Sequence, residues 1–225
     1  MQVELQVTSD GSHTLFNPLV NECYHSTHGA LQESLHVFIK QGLEHIANQT
    51  GVIRILEVGL GTGLNALLTV QAAHDRDLRI EYTAVEAFPL ETQITRTLNY
   101  PAMIGNHLAE KWFEDIHAAP WESAQAITSF FKLTKINGRL QDLTLERKAF
   151  DLVYFDAFAP QKQPEMWLPE LLAKVAAAMD DGACLVTYCA KGQVKRDLRS
   201  ARLEVEALPG PPGKREMIRA IRRRT

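Results

Sequence analysis

The sequence VIRILEVGLGTGLNALLTVQAAH at residues 52–74 constrains the fold of this chain more than any other stretch. Its first part is a short apolar run, which favours a buried strand, and its last part has the apolar spacing of a helix. The glycines between them permit a sharp turn and let a ligand approach the backbone closely. A strand, a tight turn and a helix in this order predict an α/β domain with a ligand at the turn.

The alternation of strand and helix continues along the chain. IEYTAVEA at 80–87 predicts a second strand, and Pro89 suits the first turn of a helix over LETQITRTLNY. Aromatic residues between 101 and 135 have loosely helical spacing, which predicts helices packed on the sheet. The later segments predict strands over GRLQD, FDLVYFDAF and ACLVTYCA, a helix over PEMWLPELLAKVAAAM and another over 193–201. Such alternation favours a mostly parallel sheet.

The last two predicted strands, LEVEAL and EMIRAI, are joined only by a short connection around PGPPG. A parallel crossover needs about a dozen residues or more, so these strands should be antiparallel. With 225 residues, 45% of them hydrophobic, the chain fits one domain better than two. Residues 1–50 are predicted to be an N-terminal segment with one helix over LQESLHVFIKQGLEHI, within the same domain as residues 51–225.

The composition also predicts where the protein resides. No stretch approaches the roughly 20 apolar residues that span a bilayer, and the start, MQVELQVTSDGSH, has neither a basic leader nor an apolar h-region. The three cysteines do not resemble a disulfide framework. We therefore expect a cytoplasmic protein without a membrane partner.

Charge is distributed unevenly along the chain. Residues 187–225 hold 11 Lys and Arg against 4 Asp and Glu, whereas the whole chain has a net charge of −3. A basic end on an acidic body predicts attraction of a polyanion such as a nucleic acid. A solvated basic surface is the alternative.

Two strand ends carry the features of a nucleotide-binding site. The dinucleotide fingerprint has Gly or Ala at its sixth place, where this chain has Leu64, so the spacing is G-x-G-x-G instead. Glu86 ends the second predicted strand, where an acidic side chain accepts hydrogen bonds from ribose hydroxyls. Asp142, at the end of the third, would accept from an adenine amino group, with a surface role as the alternative. The residues predicted to bind the cofactor are Glu57, Gly59, Gly61, Gly63, Asn65, Glu86, Asp142 and Asp156.

Asp156 follows the apolar strand LVYF and precedes AFAP, at the edge where open α/β sheets bind ligands. Phe158 and Pro160 offer an aromatic face and a rigid turn beside this carboxylate, as a base-stacking pocket requires. A helix cap is the alternative for Asp156, but the next predicted helix begins too far along the chain. His25 and His28 have H-x-x-H spacing without other ligands nearby, so we expect no metal.

At these residues the chain resembles the methyltransferases of 5-methylaminomethyl-2-thiouridine biosynthesis, which act on the wobble uridine of bacterial transfer RNAs. DAFAP-x-K-x-P-x-MW is the most diagnostic match, and FNPLVNECYHSTHGALQESLHVFIKQGL resembles the family's N-terminal segment, where a related sequence lies over the active site. The other matching stretches are EVGLGTGLNALLTVQ, VEAFPL, TYCAKGQVKRDL and GKREMIRA.

The resemblance implies a class I, Rossmann-like methyltransferase fold: a mostly parallel seven-stranded sheet with an antiparallel last strand. It implies S-adenosylmethionine as cofactor, with the glycine loop at Gly59, Gly61 and Gly63, the ribose acid at Glu86 and the essential aspartate at Asp156. Bifunctional members carry an additional flavin-dependent oxidase domain. This chain resembles the stand-alone form, for which no FAD is expected.

The resemblance also implies an enzyme that methylates the amine of a 5-aminomethyl-(2-thio)uridine in tRNA. A primary alkylamine is mostly protonated at neutral pH, so Asp156 is predicted to accept or hold its proton. Alternatives are an aminopropyltransferase of polyamine synthesis, a non-catalytic RNA-binding module and a nicotinamide dehydrogenase, the last weakened by Leu64. The predicted phosphate contacts are Lys195, Arg196, Lys214 and Arg215.

Overall fold

The computed structural model describes residues 2–47 and 51–224. Its N-terminal part is a small antiparallel sheet of three strands, which the sequence did not predict. The strands are too short and polar to show a hydrophobic period, and residues such as Leu5 and Val7 are exposed on them. Their bounds are Glu4–Val7 (β1), His13–Asn17 (β2) and Glu22–Cys23 (β3).

One continuous helical segment follows, as predicted, but its winding changes along its length. It begins as Ala30–Ser34 (α1), widens into a π-helical stretch over Leu35–Leu43 and ends as Glu44–Ile46 (α2). Gly42 faces the central sheet, where a Cβ would lie 3.0 Å from Cγ2 of Val186. The absence of a side chain at Gly42 therefore lets this segment pack closely on the sheet. The predicted helix break at Thr50 lies outside the described residues.

The main sheet has eight strands in the order β10-β11-β9-β8-β4-β5-β7-β6. The five from β9 to β7 are parallel, and β11 is antiparallel to both β9 and β10. The predicted antiparallel end of the sheet is confirmed, and the strand beyond the predicted seven is the short edge strand β6. The strands are Val52–Val58 (β4), Arg79–Glu86 (β5), Ala124–Ala126 (β6), Phe131–Asn137 (β7), Phe150–Phe155 (β8), Met179–Thr187 (β9), Leu203–Pro209 (β10) and Glu216–Arg222 (β11).

Helices cover both faces of this sheet and enclose two buried hydrophobic clusters. The helical segment 30–46 and the helices between β4 and β7 pack on one face, and the helices that flank β9 pack on the other. The remaining helices are Leu64–Arg76 (α3), Thr92–Thr95 (α4), Tyr100–Ile104 (α5), Ala109–Ala118 (α6), Pro169–Ala178 (α7) and Gly192–Ser200 (α8), with a 3-10 turn at Pro164–Trp167.

Four predictions of secondary structure are wrong. LETQITRTLNY forms the short α4 and the first residue of α5 instead of one helix, and residues 138–142 form a loop instead of the strand GRLQD. The third parallel strand is instead β7, within the region predicted to be helical. Phe131, Leu133 and Lys135 alternate inward along β7, and the buried Lys135 hides this two-residue period in the sequence. Asp181-Gly182, predicted as a turn, lies inside β9.

Candidate active site

A cleft of about 300 Å³ lies at the carboxyl edge of the parallel strands. Its walls come from the loops after β4, β5 and β8 and from the N-terminal sheet. Ligands bind at this edge in open α/β sheets, where the chain departs to opposite faces. The lining includes Tyr24, His25, Gly59, Gly61, Glu86, Asp156, Phe158 and Tyr188.

The glycine turn fits tightly against its neighbours. Gly59 has φ +92°, and a Cβ there would lie 2.6 Å from the backbone oxygen of Asp156. Gly61 has φ +50°, and a Cβ there would lie 3.1 Å from Cδ1 of Tyr24. Both positions require glycine, because L side chains rarely adopt such φ values and the space is already taken. Gly63, also at positive φ, precedes α3 and lies outside the lining.

Glu86 ends β5, and its carboxylate lies beside the glycine turn. Oε2 accepts the N–H of Gly61 at 2.8 Å, and Oε1 accepts the N–H of Phe88 at 2.9 Å. Two backbone donors therefore fix the carboxylate at the wall of the cleft. The carboxyl end of a parallel strand, beside a glycine turn, is the position expected of an acid that binds ribose hydroxyls.

Asp156 begins the loop after β8, and it is the carboxylate at the centre of the cleft. Its N–H donates to the carbonyl of Val58 at 3.0 Å, which ties the loop to β4. Its Oδ2 accepts the side-chain amide of Asn65 at 2.8 Å. Burial, and then the charge of Glu33, raise the pKa of Asp156 to about 7. The group is therefore a weak acid whose charge changes near neutral pH.

Glu57 and Asn65 stand behind the cleft instead of lining it. Glu57 is fully buried in β4, and neither of its oxygens has a hydrogen bond of normal geometry to the described residues. Burial raises the pKa of Glu57, the charge of Asp156 raises it further, and the neighbouring Tyr82 hydroxyl and Asn65 amide oppose the shift only in part. Glu57 is therefore more readily protonated than a solvent-exposed glutamate.

The N-terminal sheet closes one side of the cleft. The ring of Tyr24 stands edge-on to Phe158, with centroids 5.1 Å apart. Glu22 accepts the N–H of Ala159 at 3.1 Å, and Nζ of Lys162 donates to the carbonyl of Asn21 at 2.8 Å. These bonds clamp the DAFAP loop to the sheet. The expectation from the resemblance, that the N-terminal segment lies over the site, matches this arrangement.

Other predicted residues lie farther out. Asp142 is exposed and does not line the cleft, although Gln141 does. Pro160 is half-buried and also lies outside the lining. Their predicted roles stay predictions, and the pattern of the sequence did not single out Tyr24 or Tyr188, which do line the cleft.

The four predicted phosphate-binding cations differ in their surroundings. Arg196 and Arg215 are exposed, and Arg196 donates to Oε1 of Gln193 at 2.7 Å. Nζ of Lys195 lies 2.7 Å from Oε2 of Glu216. Lys214 forms an ion pair with Glu33. The two arginines are thus the cations of this set that remain accessible to a polyanion.

Neither histidine singled out in the sequence belongs to a metal cluster. Within residues 2–47 and 51–224, no group of three His, Cys, Asp or Glu side chains could hold a metal ion. Burial lowers the pKa of His25 to about 4, and its ring lies beside Thr62 of the glycine turn. None of the helices in the described part of the chain has the length and apolar character needed to cross a bilayer.

Known proteins resemble the chain both in sequence and in structure. The bifunctional protein MnmC of tRNA 5-methylaminomethyl-2-thiouridine biosynthesis from Cupriavidus metallidurans is 32% identical over 94% of this chain and 32% of that protein. The protein of the same name from Magnetococcus marinus is 32% identical over 97% of this chain and 33% of its own length. The chain therefore spans about a third of the length of these curated relatives.

Among solved structures, MNMC2 from Aquifex aeolicus matches all of this chain and 71% of its own, with a TM-score of 0.78 and 26% identity. A family model described as S-adenosyl-L-methionine-dependent methyltransferase matches residues 102–223, more than half of the sequence. The chain therefore belongs to the S-adenosylmethionine-dependent methyltransferases, and S-adenosylmethionine is its cofactor.

Proposed function

We propose that the protein transfers a methyl group from S-adenosylmethionine to the amine of 5-aminomethyl-(2-thio)uridine at the wobble position of tRNA. The product is 5-methylaminomethyl-(2-thio)uridine. The observation that carries the proposal is the carboxylate of Asp156, which shares one cleft with the glycine turn and with the rings of Tyr24 and Phe158. The relatives named for 5-methylaminomethyl-2-thiouridine biosynthesis supply the choice of nucleoside.

The cleft fits the cofactor at two places. The turn at Gly59 and Gly61 lines the cleft with backbone, because neither position has room for a side chain, so a ligand can lie against the backbone. Glu86 presents a carboxylate held by two N–H groups, suited to ribose hydroxyls. When bound, S-adenosylmethionine supplies an electrophilic methyl group. Glu57 and Asn65 lie outside the lining of the cleft, next to the residues that form it. Gly63 precedes helix α3.

Asp156 prepares the amine for transfer. The nitrogen must lose a proton to expose the lone pair that forms the new bond to carbon. Asn65 occupies Oδ2 of Asp156, so we assign Oδ1 as the oxygen that accepts this proton. A carboxylate whose pKa is about 7 is well matched to this step at neutral pH, and such base catalysis contributes roughly 10²–10⁴-fold.

The surroundings of Asp156 suit a nucleoside lifted out of the anticodon stack. Phe158 offers a face on which an unstacked uracil could lie, and Tyr24 supports that ring from the side. Arg196 and Arg215 are the exposed cations assigned to tRNA phosphates. Residues 1–50 and 51–225 together form one cytoplasmic domain in this proposal, and that domain acts without FAD.

Identification of the methylated nucleoside tests this function. The protein is incubated with radiolabelled S-adenosylmethionine and either unmodified or aminomethylated tRNA, which is then digested to nucleosides. We expect label in 5-methylaminomethyl-(2-thio)uridine and only with the aminomethylated substrate. Label in another nucleoside, or transfer to putrescine from decarboxylated S-adenosylmethionine without tRNA methylation, would reject it.

A further inference from the structure

The turn between β10 and β11 places Lys214 against the N-terminal segment, where its side chain is still 30% exposed. Gly213 in this turn has φ +81°, and a Cβ there would lie 2.1 Å from Cδ2 of His28. Nε2 of His36 lies 2.8 Å from the carbonyl oxygen of Pro209, at the start of the same turn. The turn is therefore pressed against the N-terminal helical segment and points Lys214 toward the cleft.

Two groups hold the ammonium of Lys214. Its Nζ lies 3.7 Å from the centroid of the Tyr188 ring, a cation–π contact. It also pairs with Oε2 of Glu33, whose side chain is 6% exposed. The other carboxylate oxygen of Glu33 accepts the N–H of Ser26 at 3.0 Å. These contacts hold the ammonium of Lys214 in position against a buried carboxylate.

The pair lies next to the residue assigned as the base. The hydroxyl of Tyr188 donates to the carbonyl of Ala157 at 2.9 Å, one residue after Asp156. Glu33 raises the pKa of Asp156, and Lys214 lowers it. The titratable and charged groups that face Asp156 are Glu57 from β4, Tyr82 from β5, Glu33 from α1, Tyr188 after β9 and Lys214 from the β10–β11 turn.

We propose that Glu33 and Lys214 are positioning residues for methyl transfer: an ion pair beside the place where the substrate amine meets Asp156, which sets the charge of that carboxylate. This inference rests on the proposed function. Lys214 favours the ionised carboxylate and disfavours the protonated form of an amine bound there, whereas Glu33 does the opposite. Holding the two charges together keeps Asp156 able both to accept and to release a proton. Lys214 is then a residue of the reaction centre and not a phosphate contact.

A titration of Asp156 tests the pair without any substrate. The protein is labelled with ¹³C at aspartate Cγ, the signal of Asp156 is assigned with Asp156→Asn, and its midpoint is measured from pH 4 to pH 10. Lys214→Met should raise the midpoint by about 1 pH unit and Glu33→Gln should lower it by about as much. The double variant should return near the wild-type value, and Lys214→Arg should keep it. Lys148→Met, which breaks the distant ion pair with Asp181, is the matched control and should shift nothing.

The pH profile of methyl transfer gives the second readout. The acidic limb of kcat/KM should move with the midpoint, so that Lys214→Met loses about 10-fold below pH 7 and recovers at high pH. Equal midpoints in wild type, Lys214→Met and Glu33→Gln, each with an unchanged circular dichroism spectrum, would overturn the inference. If the midpoints shift as expected but no tRNA is methylated, the proposed function fails while the electrostatic role of the pair stands.

Discussion

The two ends of strands β4 and β8 carry similar charged groups in opposite circumstances. At the amino end, Arg54 on β4 binds Asp151 on β8 at 2.7 Å and Asp180 at 2.8 Å, and all three side chains contact solvent. At the carboxyl end of the same strands, the charge of Asp156 raises the pKa of the buried Glu57, and burial raises the pKa of Asp156 itself. The amino end is a satisfied ion cluster, whereas the carboxyl end holds two acids that are harder to ionise than exposed carboxyl groups.

This difference shows that the two ends of the same strands have different roles. Ion pairs at the amino end stabilise the fold, and the carboxyl end provides a titratable group. Paired charges at the amino end hold the sheet together and have little free capacity to bind anything else. The carboxyl end lacks that stabilisation, because burying a carboxylate costs free energy. What it gains is a group whose protonation changes near neutral pH. Perturbed groups of this kind concentrate at functional sites.

The largest expected effect comes from filling the glycine turn. Gly61→Val should weaken S-adenosylmethionine binding by about 100-fold or more, because a branched side chain would occupy the ligand's space and displace Tyr24. Gly51→Val is the control at the amino end, where φ is also positive but nothing lies within 4 Å of the added Cβ. Calorimetric titration should show near-normal affinity for this control. Unchanged affinity in Gly61→Val would remove the turn from the cofactor site.

The next effect tests whether Glu57 is buried as a neutral acid. Its raised pKa means that wild-type stability decreases as pH rises above 4.5, the ordinary value, toward the folded-state value. Glu57→Gln removes this loss, so its free energy of unfolding at pH 7 should exceed that of wild type. The difference should vanish near pH 4.5. Urea denaturation at both pH values measures it, and a loss of stability at pH 7 would show that Glu57 is ionised in the fold.

A smaller loss is expected at the amino end. Asp151→Asn breaks the charged bonds to Arg54, which include 2.8 Å to its backbone N–H and 3.0 Å to its Nε. We expect the free energy of unfolding to fall by about 1.5 kcal/mol, discounted for the solvent contact of the cluster. Turnover at a permissive temperature should be unchanged. A large loss of kcat would contradict the separation of the two ends.

The smallest effect concerns the tRNA surface. Replacing Arg196 and Arg215 by Ala should weaken tRNA binding about fivefold and reduce the slope of log affinity against log salt by about 1–2. Arg147→Ala with Lys148→Ala, two exposed cations just before β8, should change neither quantity. Filter binding at several salt concentrations separates these outcomes. A weaker affinity with an unaltered slope would point to altered folding instead of lost phosphate contacts.

The sequence predicted the parts of the fold whose signals are local. The glycine turn, the apolar run of β8 and the short connection between β10 and β11 each identify their element within a few residues. β7 was missed because the buried Lys135 interrupts its apolar alternation, and its amine is held by the carbonyl of His117 at 2.8 Å, a contact visible only in the fold. The N-terminal sheet was missed because pairing between distant short strands leaves no periodic pattern.

The residues of the candidate site also fall into two groups: those that the sequence predicted, and those that only the fold brings together. Glu86 and Asp156 were predictable because parallel strands bring their carboxyl ends to one edge. Glu33 and Lys214 are 181 positions apart, so only the packing of the β10–β11 turn on the helical segment joins them. Lys214 was accordingly grouped with the phosphate-binding residues, since its charge is visible in the sequence and its ion pair with Glu33 is not.

The measurement that tests the account most directly is single-turnover methyl transfer by Asp156→Asn beside Asp151→Asn, two equal changes at opposite ends of β8. Asp156→Asn should bind S-adenosylmethionine normally but lose about 10²-fold or more in rate, with partial recovery at high pH as more of the substrate amine becomes neutral. Asp151→Asn should keep the wild-type rate. Near-normal transfer by Asp156→Asn at pH 7 would contradict the assignment of the carboxyl end as the reactive one.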